Sequence, residues 1–310
     1  MRVLTVTNMW PQPGAPQFGI FVERQVAALR HAGVDVDVQF VNGRASTVNY
    51  PRALPEYRAR LRRGRYDLVH ATYVLSGVIA RAQRRVPVVL THTGIEVLES
   101  WQAPVAWALS RVVDEVIVRN EGMRQRLGLP DATVLPAGVD FDVFRPVPQA
   151  EARAALGLVQ DDRIVLFVGE PRPEKRLDVI AAAVELLRAD DSRIRLEQVC
   201  GRPQEEVAAY MSAADVLALA SDNEGSPGAV KEAMACNLPV VSVDVGDVAA
   251  VIGRTEGCFL AAREPAAFAR GLAAALDFGA RTDGRSAVAH LSWPAVTARL
   301  IEVYERALAR

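Results

Sequence analysis

The sequence predicts an α/β protein built from two doubly wound parallel sheets. Short apolar runs rich in Val, Ile and Leu recur along the chain, and stretches with helical periodicity fill the gaps between them. These runs are continuous rather than alternating, as expected for parallel strands covered on both faces. The series is interrupted by the proline-bearing FDVFRPVPQAEARAALGL, so the 310 residues divide into two halves, each near ordinary domain size.

Taken in order, the first half carries strand candidates at 3–7, 36–40, 67–71, 88–92 and 115–119, with helices at 20–32, 76–85 and 101–111. The second half carries strands at 164–169, 194–199, 215–219, 239–243 and 257–261, with helices at 177–188, 204–213, 228–235 and 264–276. A last helix spans 293–308. The expected units are 1–145 and 146–292, facing a cleft, with 293–310 packing back onto the first. Ligands in such sheets bind outside the carboxyl ends of the strands, which directs attention to the loops there.

Bulk properties narrow the function. A net charge of −1 gives no general attraction to nucleic acid, so no nucleic-acid partner is expected. Three scattered cysteines, Cys200, Cys236 and Cys258, suit a reducing cytoplasm better than a disulfide framework. The opening MRVLTVTNMWP lacks the long apolar region of a secretory signal, and no apolar run approaches 18 residues. A cytoplasmic location is therefore expected.

The most informative stretch is SDNEGSPGAVKEAMACNLPVV, residues 221–241. Pro227 suits a helix start, where its missing N–H is not needed. Gly228 lets a ligand approach the backbone with no Cβ in the way. The free amides of a helix's first turn favour an anion such as phosphate. Glu224, just outside the helix, and Glu232, one turn inside, can each accept paired hydrogen bonds from vicinal hydroxyls. Phosphate flanked by two diols is the outline of a nucleotide-sugar. Acidic residues near a helix N-terminus for dipole reasons alone are equally common, so the residues by themselves leave both readings standing.

EGSPGAVKEAMACNLPVV resembles the E-x7-E signature of the family-4 retaining glycosyltransferases of the GT-B fold, which has two doubly wound Rossmann-like domains facing a cleft. The lead-in AADV and the following loop DVGD, residues 244–247, agree with it. The resemblance implies that Glu232 holds ribose hydroxyls and Glu224 hydroxyls of the donor sugar. The backbone of Pro227, Gly228 and Ala229 would approach the diphosphate and sugar. FVGEPRPEKRLDVI, residues 167–180, is similar to the segment that places an arginine and a lysine on the donor diphosphate. Lys175 takes the lysine position; Glu170 stands at the arginine position, and Arg172 is the expected replacement. Its alternative is a surface ion pair with Glu170.

Other matches extend the resemblance over nearly the whole chain, most strongly over 160–260. The opening loop 11–19 implies a backbone approach to donor phosphate at Gly19 and a border with the acceptor. LTHTGIEVLESWQ, residues 90–102, resembles the family's T-x-H-G-x-[DE] loop, with Thr93 at the histidine position and His92 one residue earlier. His92 is therefore a candidate for contact with the donor sugar, against the commoner reading of a satisfied structural histidine, and Glu96 a candidate orienting carboxylate. VLPAGVDFDVFRP is similar to the interdomain crossover, with Gly138 and Asp140 at its turn. LEQVCGRPQEEVAAYMSAADV resembles the segment whose main chain meets the nucleobase, around Val199, Cys200 and Gly201. A strand-helix unit that usually precedes that segment is absent here.

PRALPEYRARLRRGR, residues 51–65, reads as a basic amphipathic helix, with Leu54, Tyr57 and Leu61 on one face and six arginines against Glu56. It is either the solvated face of a covering helix or a peripheral contact with anionic membrane.

The resemblance implies transfer of a sugar from a UDP-, GDP- or dTDP-sugar to a hydroxyl with retention, on a glycan, lipid-linked glycan or small-molecule acceptor. It implies no cofactor and no metal, and no His/Cys/Asp cluster in the sequence has ligand spacing. Two alternatives stand beside it: a nucleotide-sugar 2-epimerase on the same fold, and a degenerate, non-catalytic nucleotide-sugar binder.

Overall fold

The apolar runs become two all-parallel sheets in the computed structural model, which describes residues 1–98 and 101–310. The chain divides into two units, Met1–Gly138 with Trp293–Arg310, and Val139–Ser292.

In the first unit six strands are ordered β2-β1-β3-β4-β5-β6: β1 Arg2–Thr7, β2 Asp35–Phe40, β3 Leu68–Thr72, β4 Val88–Thr91, β5 Glu115–Val118 and β6 Thr133–Val134. Strand direction of progress reverses between β1 and β3, whose ends align at Thr7 and Thr72. One face is covered by Ile20–His31 and Trp293–Leu308, which share a core containing Val26, Leu29, Leu300 and Val303. The other is covered by Asn49–Gly64, Val74–Ala80 and Ala103–Leu109. The C-terminal helix is held by Tyr304, whose hydroxyl is 2.7 Å from His70 Nδ1, and by Arg310, 2.8 Å from Glu115.

The basic helix runs over Asn49–Gly64 with its apolar side turned inward. Tyr57 is fully buried and donates to the Ala80 carbonyl at 2.7 Å, while Leu54 and Leu61 pack against the same core. Its apolar face is thus part of the fold, and only its arginine face meets solvent.

The second unit orders five strands as β8-β7-β9-β10-β11: β7 Arg163–Val168, β8 Ile194–Val199, β9 Val216–Leu219, β10 Val240–Ser242 and β11 Phe259–Leu260. Leu177–Arg188 packs with Pro265–Phe278, and Gln204–Ala213 with Gln149–Leu156, so helices cover both faces. The reversal falls between β7 and β9. The boundary lies at Gly138, earlier than the proline-rich stretch suggests. The cause is local: Val139 N–H donates to Leu291 at 2.8 Å, Phe144 is 1% exposed in this unit's core, and Arg285 donates to the carbonyls of Phe141 and Phe144.

Candidate active site

The switch point of the second unit gathers most of the expected residues. Loops leave the carboxyl ends of β7 and β9 side by side, and Asp222 N–H donates to the Glu174 carbonyl at 2.8 Å, tying one to the other. Lys175 Nζ donates to Glu224 Oε1 at 2.5 Å, and Ser221 Oγ donates to the same oxygen at 2.9 Å. Lys175 and Glu224 side chains are 19% and 14% exposed, so this ion pair is partly desolvated yet reachable. Arg263 steadies the loop behind them by donating to the carbonyls of Ala220 and Ser221.

Pro227 takes the N-cap position of helix Gly228–Ala235, and no side chain caps that end. Uncapped amides at a helix start form an anion-binding position. Glu232, one turn in, accepts no side-chain hydrogen bond among the described residues, and its Oε1 lies 3.6 Å from where a Cβ on residue 228 would stand. Burial pushes its carboxyl up to about 7, and the charge of Lys231 opposes that rise. A half-buried carboxylate without partners is ready to accept hydroxyls.

Gly246, in the DVGD loop, has φ +63, and a Cβ there would come 3.1 Å from the carbonyl oxygens of Glu224 and Gly225. Both the left-handed backbone and the close approach call for glycine. Cys200 and Gly201 follow β8, the strand beside β7, and Cys200 is exposed.

Arg172 lies in the same loop as Lys175 but turns to carboxylates, 3.8 Å from Glu170 and 3.3 Å from Glu174. In the first unit, Gly19 opens helix Ile20–His31 with φ +77, and a Cβ there would meet the Met9 and Trp10 backbone at 2.3 Å.

His92 requires a correction. Its side chain is fully buried, with Nε2 2.8 Å from Ser110 Oγ, and desolvation lowers its pKa to about 4. It is a neutral interior residue, without the surface access a donor-contacting group needs. Thr93 is likewise committed: its N–H and hydroxyl donate to the buried Glu96, as does Gly94 N–H. Glu96 is an orienting carboxylate for its own loop.

Sequence reasoning missed Tyr73, Lys231 and Asp247. Tyr73, at the end of β3, holds φ +81, a strained conformation for a non-glycine residue. Lys231 is 0% exposed, although a helical lysine ordinarily reads as solvated. The DVGD loop was the only signal pointing at Asp247.

Two doubly wound units, one carrying a lysine-carboxylate pair beside an uncapped helix start, define a GT-B glycosyltransferase, an enzyme of the transferase class. Comparisons agree. Residues 13–143 match the model of Glycosyltransferase Family 4, and residues 196–277 that of Glycosyl transferases group 1. A D-inositol 3-phosphate glycosyltransferase of Thermobispora bispora is 31% identical, the match spanning 80% of this chain and 72% of that protein. Its counterpart from Streptosporangium roseum is 30% identical over 79% of this chain and 71% of its own. Among solved structures, a sucrose-phosphate synthase from Thermosynechococcus elongatus superposes with a TM-score of 0.81 at 22% identity, covering 100% of both chains. HepE from Anabaena, in complex with UDP-glucose, gives 0.74 at 16% identity, covering 98% of this chain and 99% of its own. The chain belongs to the family-4 glycosyltransferases of the GT-B fold.

Proposed function

We propose that this enzyme transfers a sugar from a nucleotide-sugar to an acceptor hydroxyl with retention at the anomeric carbon, and that the donor binds at the β7/β9 switch point. The observation that carries the reading is the Lys175–Glu224 pair beside the uncapped start of helix Gly228–Ala235. In this reading the first-turn amides and Lys175 stabilise the departing diphosphate. Glu224 turns its free valences to the donor sugar, and Glu232 accepts the ribose diol. Arg172 is the second cation of the proposal; its present ion pairs are exposed and hold it with roughly 0–1 kcal/mol each. The acceptor loses its proton to a phosphate oxygen on the face that the leaving group vacates, which yields retention without a protein nucleophile. Reaction in the presence of EDTA is expected at the rate seen without it.

The nucleotide-sugar assignment gains support from the neighbour solved with UDP-glucose. The acceptor is proposed to be a hydroxyl on a glycan, a lipid-linked glycan or a small molecule. The curated relatives, as D-inositol 3-phosphate glycosyltransferases, make that cyclitol phosphate one acceptor to assay. Membrane contact is confined in this reading to the arginine face of Asn49–Gly64.

The test is nucleotide release from a panel of UDP-, GDP- and dTDP-sugars, followed by NMR of the product's anomeric configuration. Release with a retained configuration supports the proposal. Isomerised donor points to the epimerase, binding without release to a degenerate protein, and no binding of any donor overturns the reading. Arg172→Ala is expected to lower turnover about tenfold, and full turnover would leave Lys175 as the cation.

A further inference from the structure

Behind the proposed donor site lies a buried clasp that the reaction as read above does not use. Lys231 is fully buried in helix Gly228–Ala235 and donates to Ser226 Oγ. Ser226 donates in turn to Asp247 Oδ2 at 2.5 Å, and Lys231 Nζ lies 3.3 Å from that same oxygen. Three residues from two loops and one helix thus close a ring immediately behind Pro227 and Gly228.

None of the three acts as an ordinary structural residue of its element. Asp247 stands at the N-cap position of Val248–Ile252, yet its side chain makes no cap bond. Its other oxygen, Oδ1, is buried and has no hydrogen-bond partner among the described residues, so the Ser226–Lys231 contacts are what hold this carboxylate. Ser226 precedes a helix start that no side chain caps, and it too turns to the clasp. A lysine at zero exposure is rare and is retained only with its partner, because desolvating the pair offsets most of its attraction. Gly246, next to Asp247, leaves no room for a side chain against the carbonyls of Glu224 and Gly225, so the loop carrying Asp247 packs directly on the loop carrying Glu224.

We infer that Lys231, Ser226 and Asp247 are positioning residues that lock the loop carrying Glu224 and the first-turn amides in the geometry for diphosphate departure. Catalytic donors of this kind must be fixed before reaction, since a displacement of about 1 Å costs on the order of 100-fold in rate. The clasp meets this need through the loop it braces, with Lys231 fully buried and Asp247 nearly so. Its loss therefore acts on the transition state, with little change in ground-state donor binding. The inference rests on the donor-site reading given above.

The experiment uses the full chain with UDP-glucose, or whichever member of the UDP-, GDP- and dTDP-sugar panel the wild-type protein turns over. Ser226→Ala deletes one hydroxyl and leaves the Lys231–Asp247 charges together. It is expected to lower kcat roughly 10- to 100-fold with KM within about twofold. Lys231→Met leaves Asp247 buried without a counterion and is expected to lose thermal stability. Adding Asp247→Asn removes that lone charge, so the double variant should regain the wild-type melting temperature while kcat stays low. A double variant, or Ser226→Ala, that is as stable as wild type and turns over at the wild-type rate overturns the clasp alone. Wild-type protein that binds no donor overturns the site reading beneath it, and the two failures are thereby distinct.

Discussion

Glu232 links stability to ligand binding in a direction opposite to that of most carboxylates. Its folded pKa, about 7, lies above the 4.5 of a free glutamate because burial penalises the charge. Between those values the folded state binds the extra proton, so this group's contribution is fully present below about 4.5 and is lost as pH rises through 7. At about 1.36 kcal/mol per pH unit, the ionised group costs roughly 3 kcal/mol by pH 8. Glu232→Gln, a neutral isostere, avoids that cost. The variant should melt with the wild type near pH 4.5 and above it at pH 8, by about 6–12 °C in the transition of the unit Val139–Ser292 that carries it. Donor binding should show the reverse. In the proposed reading the ribose diol binds the carboxylate, so UDP affinity should weaken about tenfold for each pH unit below 7 and level off above it. Titrations of both proteins with UDP from pH 5 to 8 isolate the effect, because the variant reports the nucleotide's own phosphate titration and the difference belongs to Glu232. Identical pH–stability profiles in the two proteins, or UDP affinities that change in parallel with pH, would refute this account of the residue.

Other outcomes are equally specific. Lys175→Met should lower turnover by on the order of 100- to 1,000-fold, measured as nucleotide release, since it removes the cation, now paired with Glu224, that the proposed function assigns to the leaving diphosphate. Gly246→Ala places a Cβ 3.1 Å from two carbonyl oxygens at φ +63 and should cost roughly 1–2 kcal/mol in calorimetric unfolding, with a fall in turnover as the Glu224 loop shifts. Tyr304→Phe deletes the hydroxyl bonded to His70 and should cost about 1–3 kcal/mol, seen as faster hydrogen exchange across Trp293–Leu308. Burial holds His70 down to about 3, so the unfolded chain takes the proton first and this contribution fades as pH falls through 6.5. Hydrogen exchange in the C-terminal helix should therefore quicken between pH 6.5 and 4 after correction for intrinsic rates.

Fold and site were legible to different depths, for a physical reason. Continuous Val-rich runs such as those at 164–169 and 215–219 announced parallel strands because a strand buried on both faces has no polar side to show. The two-residue strand Thr133–Val134 is absent from the strand candidates because no apolar run of strand length surrounds it and two residues carry no period; its sheet position depends on β5. Glu224 and Lys175 stood out as charged residues in loops and Glu232 as an acid one turn inside a helix start, and the structure joins Lys175 to Glu224. His92 failed the same logic in reverse. A histidine next to a strand end reads as reachable, but whether the side chain points outward depends on a partner 18 residues away, Ser110, that local pattern does not encode. Lys231 was hidden for a related reason. Its helix is apolar through Ala233, Met234 and Ala235, and nothing in that spacing distinguishes a lysine reaching water from one reaching Asp247. Side chains proposed to contact the ligand were thus visible in the sequence, whereas those proposed to hold them in place depend on distances across the fold. The buried Lys231–Asp247 pair belongs to the second kind, and the loop it braces carries Glu224, which belongs to the first.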